Sequence, residues 1–71
     1  MTIAEVFGKN VTYTLEDKGM TQTQLAELTG LERSHLNRLV HGQGGPSLYT
    51  AYMIAKALGV TIDMLLEGFN E

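Results

Sequence analysis

Apolar residues recur at spacings of three and four along almost the whole chain, and glycines divide this pattern into segments. Such spacing places apolar side chains on one face of an α-helix. The pattern predicts a first helix over residues 3 to 18, although β-branched and aromatic residues at 11 to 14 are less favourable at its carboxyl end. Gly19 is expected to end it in a left-handed conformation. Its expected inward face consists of Ile3, Val6, Phe7, Val11, Thr14 and Leu15.

Residues that favour helix N-caps precede three further apolar segments, because Thr21, Ser47 and Thr61 can each accept a backbone N–H of the following turn. The pattern predicts four more helices, over residues 21 to 29, 32 to 41, 47 to about 58, and from 61 onward. The positions expected to be buried in the second to fourth helices are Leu25, Ala26, Leu28, Leu36, Leu39, Val40, Leu48, Ala51, Tyr52, Ile54, Ala55 and Leu58. The short fifth helix contains Ile62, Met64, Leu65 and Leu66. Five helices with very short connections predict an all-α fold, a compact five-helix domain spanning residues 1 to 71.

The second and third predicted helices have the spacing of a helix-turn-helix at about residues 21 to 41. Two helices that cross steeply need a small residue where their backbones approach, a turn residue that tolerates positive φ, and an apolar anchor from the second helix. Ala26, Gly30 and Leu36 meet these three requirements in order. Leu25, Leu31 and Leu39 are suited to the adjacent buried positions, so several positions agree with one geometry.

On these residues the chain resembles the Cro and phage-repressor type of helix-turn-helix, also called the xenobiotic-response-element-like family. The resemblance extends over about residues 3 to 67, and its matching segments are 20 to 42, 46 to 48, 54 to 60 and 63 to 66. It implies a lambda-repressor-like DNA-binding fold and a sequence-specific transcriptional regulator of the repressor or Cro type. It further implies double-stranded DNA as the partner, with the helix at about residues 32 to 41 in the major groove.

Carried over by position, the resemblance implies two kinds of DNA contact. Base edges would be contacted by Arg33, Ser34, Asn37 and Arg38. Arginine suits this role because its planar fork can donate two hydrogen bonds to guanine O6 and N7. Phosphates would be contacted at helix starts, where free N–H groups favour an anion, and just after the third helix. The residues at these positions are Thr21, Gln22, Gln43 and Ser47.

The charge of the chain favours a second interpretation. Five Lys and Arg stand against eight Asp and Glu, a net charge of −3, whereas nucleic-acid binders usually show a basic footprint. Glu32 replaces the Ser or Thr common in the family, and residues 43 to 45 lack the usual Lys or Arg. The alternative is therefore a protein-protein interaction module that keeps the fold with weak or no DNA binding. The position of the carboxylates relative to Arg33 and Arg38 distinguishes the two.

Some apolar residues lie outside the expected core. Tyr49 and Met53 are one turn apart and off the inward stripe of the fourth predicted helix, and Met64 and Phe69 lie near the carboxyl terminus. These four residues are candidates for a dimer or partner surface. In related repressors the dimer forms near this end, so the resemblance implies a homodimer on two half-sites about one DNA turn apart.

The remaining composition argues against other functions. The absence of cysteine excludes disulfides and thiolate metal sites. His35 and His41 are six positions apart without a third ligand, so no metal site is predicted. The chain shows no catalytic constellation or phosphate-binding glycine motif, so we expect no enzyme activity, cofactor or small-molecule ligand. No apolar run reaches the roughly 20 residues of a membrane span, and no signal peptide is recognisable, so a cytoplasmic location is expected.

Overall fold

The computed structural model describes residues 1–70, and this part of the chain contains helices but no strand. The helices are α1 (Ile3–Lys18), α2 (Gln22–Thr29), α3 (Arg33–Val40), α4 (Leu48–Leu58) and α5 (Ile62–Leu65). The predicted all-α, five-helix fold is confirmed. The first helix continues to Lys18 through the β-branched residues at 11 to 14, because its buried face outweighs their lower helix propensity.

Hydroxyl side chains cap the amino ends of four helices. The N-cap oxygens of Thr2, Thr21, Ser47 and Thr61 each accept a backbone N–H three residues ahead, at 3.1 Å. At Thr2 and Thr21 the side chain of the third helical residue also bonds back to the cap N–H, which completes a capping box. The caps predicted at Thr21, Ser47 and Thr61 are confirmed.

One core joins the helices. Its fully buried side chains come from every helix and are Phe7, Val11, Leu25, Leu36, Ile54, Leu58 and Leu65. The helix α1 packs against α3 and α5, while α2 packs against α3 and α4. This arrangement orients α3 by its buried leucines and leaves the opposite face of that helix in solvent.

Two long-range contacts of α1 were not predicted from the sequence. Gly8 is buried against the end of α3, where a Cβ would lie 2.7 Å from the carbonyl oxygen of Val40 and even closer to that of Leu39. Asn10 donates both amide hydrogens to the carboxyl-terminal segment, 3.0 Å to the carbonyl of Leu65 and 2.9 Å to that of Glu67. Gly8 therefore allows α1 to pack closely against α3, and Asn10 links α1 by hydrogen bonds to the end of α5 and the segment after it.

The expectation that Leu28, Leu48 and Tyr52 are buried is wrong, since 60%, 82% and 51% of these side chains are exposed. Leu28 follows the core residue Leu25 by three positions, so it is turned about 60° away around the helix. Leu48 is the first residue of α4. The face of α4 that packs against the core consists of other residues, namely Ala51, Ile54, Ala55 and Leu58. The apolar stripe of α4 is therefore wider than the surface that the other helices cover.

One further apolar side chain predicted to be inward, Ile3, is also about half exposed, as is Met64, which was predicted to lie on a dimer or partner surface. Ile3 is the first residue of α1, and Met64 lies on the short helix α5, where Leu65 supplies the buried side chain. Among the described residues 1–70, no helix is both long enough and apolar enough to cross a bilayer.

Candidate nucleic-acid interface

The turn between α2 and α3 is held by local hydrogen bonds and by the core. Gly30 adopts a φ of 77°, and its N–H donates to the carbonyl of Ala26 at 2.8 Å. The hydroxyl of Thr29 donates to the carbonyl of Leu25 at 2.8 Å and accepts the N–H of Leu31 at 3.3 Å. Ala26 and Leu31 pack partly buried against the core. The predicted turn residue is therefore in place, and α3 has a defined position relative to α2.

The structure brings together the four residues implied to contact base edges. One open depression on α3 is lined by Arg33, Ser34, Asn37 and Arg38. All four are exposed, whereas Leu36 and Leu39 on the same helix are buried. Residues four apart on a helix are neighbours, so each of the pairs 33/37 and 34/38 lies side by side. The depression thus presents two guanidinium groups, a hydroxyl and an amide on one surface.

The four residues implied to contact phosphate lie at the ends of helices. The hydroxyls of Thr21 and Ser47 are used as N-caps, and that of Ser47 also donates to the hydroxyl of Thr50 at 3.0 Å. Gln43 is exposed three residues after the end of α3, and its N–H donates to the carbonyl of Arg38 at 2.9 Å. Gln22 is half-buried at the start of α2, and its Oε1 atom is buried without a hydrogen-bond partner within residues 1–70.

Three carboxylates line other depressions, each together with a basic or polar side chain. Glu27 shares a depression with Lys18, Asp63 shares one with Lys56, and Glu67 shares one with Tyr13. No carboxylate lines the depression formed by the four exposed residues of α3.

Glu5 lies beside Gly42, where a Cβ on the glycine would come 2.8 Å from Glu5 Cγ. Hydrogen bonds from the backbone and the side chain of Thr2 lower the pKa of the Glu5 carboxyl from its ordinary value, and the nearby amino terminus adds to this effect. The Glu5 carboxylate is therefore bound within its own capping box and is directed to the start of α1.

Glu32 is the N-cap residue of α3, in extended conformation with φ −69° and ψ 143°, and its side chain makes no capping hydrogen bond. It is exposed and directly precedes Arg33. A carboxylate therefore stands at the amino end of the helix that carries the polar depression.

A second exposed surface is apolar. Ile3, Leu48, Ile62 and Leu66 line a pocket of about 310 Å³, and Tyr52 borders the next depression together with Ile62. We call these five residues the α4–α5 apolar face. The sequence did not reveal it because Leu48 and Tyr52 have the spacing of core residues. The signal in the sequence was an excess of apolar residues near the carboxyl terminus.

The four residues predicted to form a dimer surface are divided between two regions. Tyr49, 69% exposed, and the half-buried Met53 belong to α4. Met64 lies in a depression with Asn10 and Tyr13 of α1, and the half-buried Phe69 follows α5 with its N–H bonded to the carbonyl of Leu66. Tyr49 directly follows Leu48 of the apolar face, whereas Met64 is directed toward α1.

The two histidines differ in their surroundings. The Nδ1 atom of His41 lies 2.7 Å from the carbonyl oxygen of Asn37, which places the ring at the carboxyl end of α3. His35 is half-buried on that helix. Residues 1–70 hold no group of three His, Cys, Asp or Glu side chains placed to bind a metal ion.

The sequence of this chain is similar to known regulators. A helix-turn-helix family model matches residues 13–65. The helix-turn-helix-type transcriptional regulator y4dJ of Sinorhizobium fredii is 31% identical over 61 residues, which cover 86% of this chain and 79% of that protein. The control protein C.SmaI of Serratia marcescens is 32% identical over 66 residues, which cover 93% of this chain and 79% of that protein.

Solved structures show the same helical arrangement. The restriction-modification controller protein C.AhdI from Aeromonas hydrophila has a TM-score of 0.82 and 32% identity, over 87% of this chain and 94% of that one. The clp gene regulator ClgR from C. glutamicum has a TM-score of 0.87 and 26% identity, over 93% of this chain and 86% of that one. The chain therefore belongs to the Cro/C1-type helix-turn-helix family of non-enzymatic, DNA-binding transcriptional regulators.

Proposed function

We propose that this protein regulates transcription by binding an operator of defined sequence with α3 in the major groove. The observation that carries this proposal is the single depression formed by Arg33, Ser34, Asn37 and Arg38. In a helix-turn-helix the exposed residues near the start of the second helix reach base edges. Guanidinium groups can donate two hydrogen bonds to guanine, while a hydroxyl and an amide can contact bases or phosphates. We expect the protein to act in the cytoplasm, where it meets its DNA.

Phosphate contacts would set the orientation of α3 in the groove. The amino ends of α2 and α4 begin with capped but solvent-facing turns at Thr21 and Ser47, and backbone N–H groups at such ends attract anions. Gln22 lies at the start of α2, and Gln43 is exposed in the segment that follows α3. These contacts carry no sequence information, so their loss weakens binding to all DNA sequences.

We further propose that the protein binds DNA as a homodimer. The α4–α5 apolar face supports this proposal, because it combines a pocket of about 310 Å³ with a leucine that projects into solvent. A twofold interface joins one patch to its own copy, so a patch that holds both a projection and a cavity suits self-association. Tyr49 directly follows Leu48 in the chain and is exposed. Met53, Met64 and Phe69 remain predicted contributors.

A protein-interaction module with weak DNA binding is the second candidate. The same apolar face favours it, since large exposed apolar surfaces mark sites of protein contact. The placement of three carboxylates argues for DNA, because Glu27, Asp63 and Glu67 line depressions other than that of α3. Glu32 stands at the amino end of α3. The two candidates differ in whether the purified protein selects a DNA sequence.

The deciding experiment is selection from a random duplex library at low salt, followed by titration of the selected duplex from about 50 to 200 mM salt. We expect a palindromic sequence with half-sites about 10 base pairs apart, and an affinity that falls steadily with salt. Folded protein that enriches no sequence would reject the proposed function and favour the interaction module. The quadruple variant with alanine at residues 33, 34, 37 and 38 is the control, because it removes the depression and leaves the buried face of α3 intact.

A further inference from the structure

Glu32 differs from the other N-cap residues in residues 1–70. At the other four helices, Thr or Ser folds back and accepts the N–H of the third helical residue, whereas the Glu32 side chain makes no capping hydrogen bond. The family resemblance also places a short hydroxyl residue at this position. The exposed carboxylate of Glu32 is thus left available at the start of α3.

The backbone of Glu32 is held in place by the core. Its carbonyl oxygen accepts the N–H of Leu36 at 3.0 Å, and the side chain of Leu36 is fully buried. The next residue, Arg33, lines the polar depression of α3. When the amino end of α3 enters the major groove, Glu32 therefore enters beside Arg33.

The chemistry of a carboxylate restricts what it can contact there. An ionised carboxylate only accepts hydrogen bonds and is repelled by phosphate. In the major groove the base edges offer hydrogen-bond donors only at cytosine N4 and adenine N6, and Glu or Asp accepts from cytosine. Guanine offers acceptors that suit the adjacent Arg33. A neighbouring carboxylate and guanidinium therefore match the donors and acceptors of G·C base pairs.

Given the proposed function, on which this inference rests, we propose that Glu32 determines part of the operator sequence by accepting a hydrogen bond from a cytosine amino group beside the base contacted by Arg33. The family position then has a different role in this chain. The side chain at this position makes no capping hydrogen bond and contacts a base instead.

The test is sequence selection with the wild-type protein and with the Glu32→Ala and Glu32→Gln variants. We expect the wild-type operator to contain a cytosine that the alanine variant no longer prefers, with a loss of discrimination of at least about fivefold at that base pair. The glutamine variant should shift the preference toward adenine, because glutamine pairs with adenine N6 and N7. Glu27→Ala is the matched control, since Glu27 is exposed but lines a depression with Lys18 instead.

The outcomes separate this inference from the proposed function. If both Glu32 variants select the wild-type sequence and bind every duplex more tightly, the carboxylate only repels phosphate and the inference is overturned. If the wild-type protein selects no sequence, the proposed function is rejected together with the inference. Glu32→Thr should reproduce the result of the alanine variant with a restored cap, which excludes unfolding of α3 as the cause.

Discussion

Arg38 and Gln22 lie on different parts of the proposed interface, and their replacement should have different effects. Arg38 lines the depression of α3, whereas Gln22 stands at the amino end of α2. We expect Arg38→Ala to cost roughly 1 to 3 kcal/mol of binding free energy and to relax the preference at one base pair. Gln22→Ala should weaken binding to all duplexes by a similar factor, since phosphate contacts are independent of sequence.

Titration of the selected duplex and of its single-base variants measures both effects. Lys18→Ala is the control, because Lys18 lines a depression with Glu27 and Leu28 and lines neither the depression of α3 nor the pocket of the apolar face. An Arg38→Ala variant that loses the same affinity for every duplex would show that Arg38 contacts phosphate and not a base.

Gly8 permits α1 and α3 to approach each other closely. A methyl group at this position would collide with the backbone carbonyls of Leu39 and Val40, which cannot move without shifting the end of α3. We expect Gly8→Ala to lower the free energy of unfolding by roughly 1 to 3 kcal/mol, despite the higher helix propensity of alanine. Urea denaturation measures this change.

Gly45→Ala is the matched control for this variant. A Cβ there meets only Ala4 Cβ, at an ordinary contact distance of 4.0 Å. It should leave stability unchanged or raise it by about 0.4 to 1 kcal/mol, since alanine restricts the unfolded chain. Equal stability of the Gly8→Ala variant and the wild-type protein would disprove the close approach of the two helices.

Single residues could be predicted from the sequence where their partners are near in the chain. Thr21 and Ser47 cap the helices that follow them, and Gly30 ends the helix before it. Asn10 could not be predicted, since its two acceptors lie 55 and 57 positions away. An asparagine in a helix has no sequence signal for such contacts, because only the folding of the chain brings α5 to it.

At the scale of elements, α3 differs from the other helices of residues 1–70 because no side chain caps its amino end. Its N-cap Glu32 makes no side-chain capping bond, although hydroxyl residues cap the other helices of residues 1–70. We expect Glu32→Thr to raise the free energy of unfolding by about 1 kcal/mol, because threonine can accept a first-turn N–H of α3. Thermal denaturation is the measurement.

Glu27→Thr provides the comparison. It makes the same substitution at an exposed position inside α2, where no cap is needed and threonine has a lower helix propensity than glutamate. It should be neutral or slightly destabilising. If the two variants changed stability equally, the effect would come from removing negative charge and not from capping.

The helices themselves were predictable, because their periodicity, caps and terminating glycines agree. Whether an individual apolar side chain is buried was less predictable, as Leu28 and Leu48 illustrate. Both have helical spacing with core residues, but burial depends on which other helix covers that side. Leu48 is the first residue of α4 and stays exposed, where it lines a pocket together with Ile62 and Leu66. Periodicity describes one helix and contains no information about the extent of its neighbours.

At the scale of the whole molecule, the location of charge matters more than its sum. The net charge of −3 favoured a protein-protein interaction module with weak or no DNA binding. In the folded chain, Glu27, Asp63 and Glu67 line depressions other than that of α3, and Glu5 is bound in its own capping box. Glu32 stands at the amino end of α3. That the four residues of the depression share one exposed face could be predicted from the sequence, because helical periodicity determines which residues of a helix lie on the same side. The sequence could not place the carboxylates, whose positions depend on the packing of all five helices.

The α4–α5 apolar face leads to a prediction about assembly. Because Leu48 is 82% exposed, replacing it leaves the monomer core intact. If a second copy covers this face, Leu48→Glu buries an unpaired charge in the interface and favours the monomer. We expect the variant to sediment as a monomer and to lose at least about tenfold in affinity for a two-half-site operator, since it loses bivalent binding. Its affinity for an isolated half-site should be unchanged, because α3 is not altered.

Leu28→Glu is the matched control, as Leu28 is also an exposed leucine but lies in a depression with Lys18 on another surface. It should sediment like the wild-type protein and keep the affinity for both DNA probes. A wild-type protein that is monomeric at the concentrations where it occupies both half-sites would contradict the proposed dimer, and a Leu48→Glu variant that dimerises normally would contradict the proposed position of its interface. The second result would leave self-association itself in place and would move the interface to the other predicted residues, Met53, Met64 and Phe69. The single substitution therefore tests the position of the interface, and the sedimentation of the wild-type protein tests its existence.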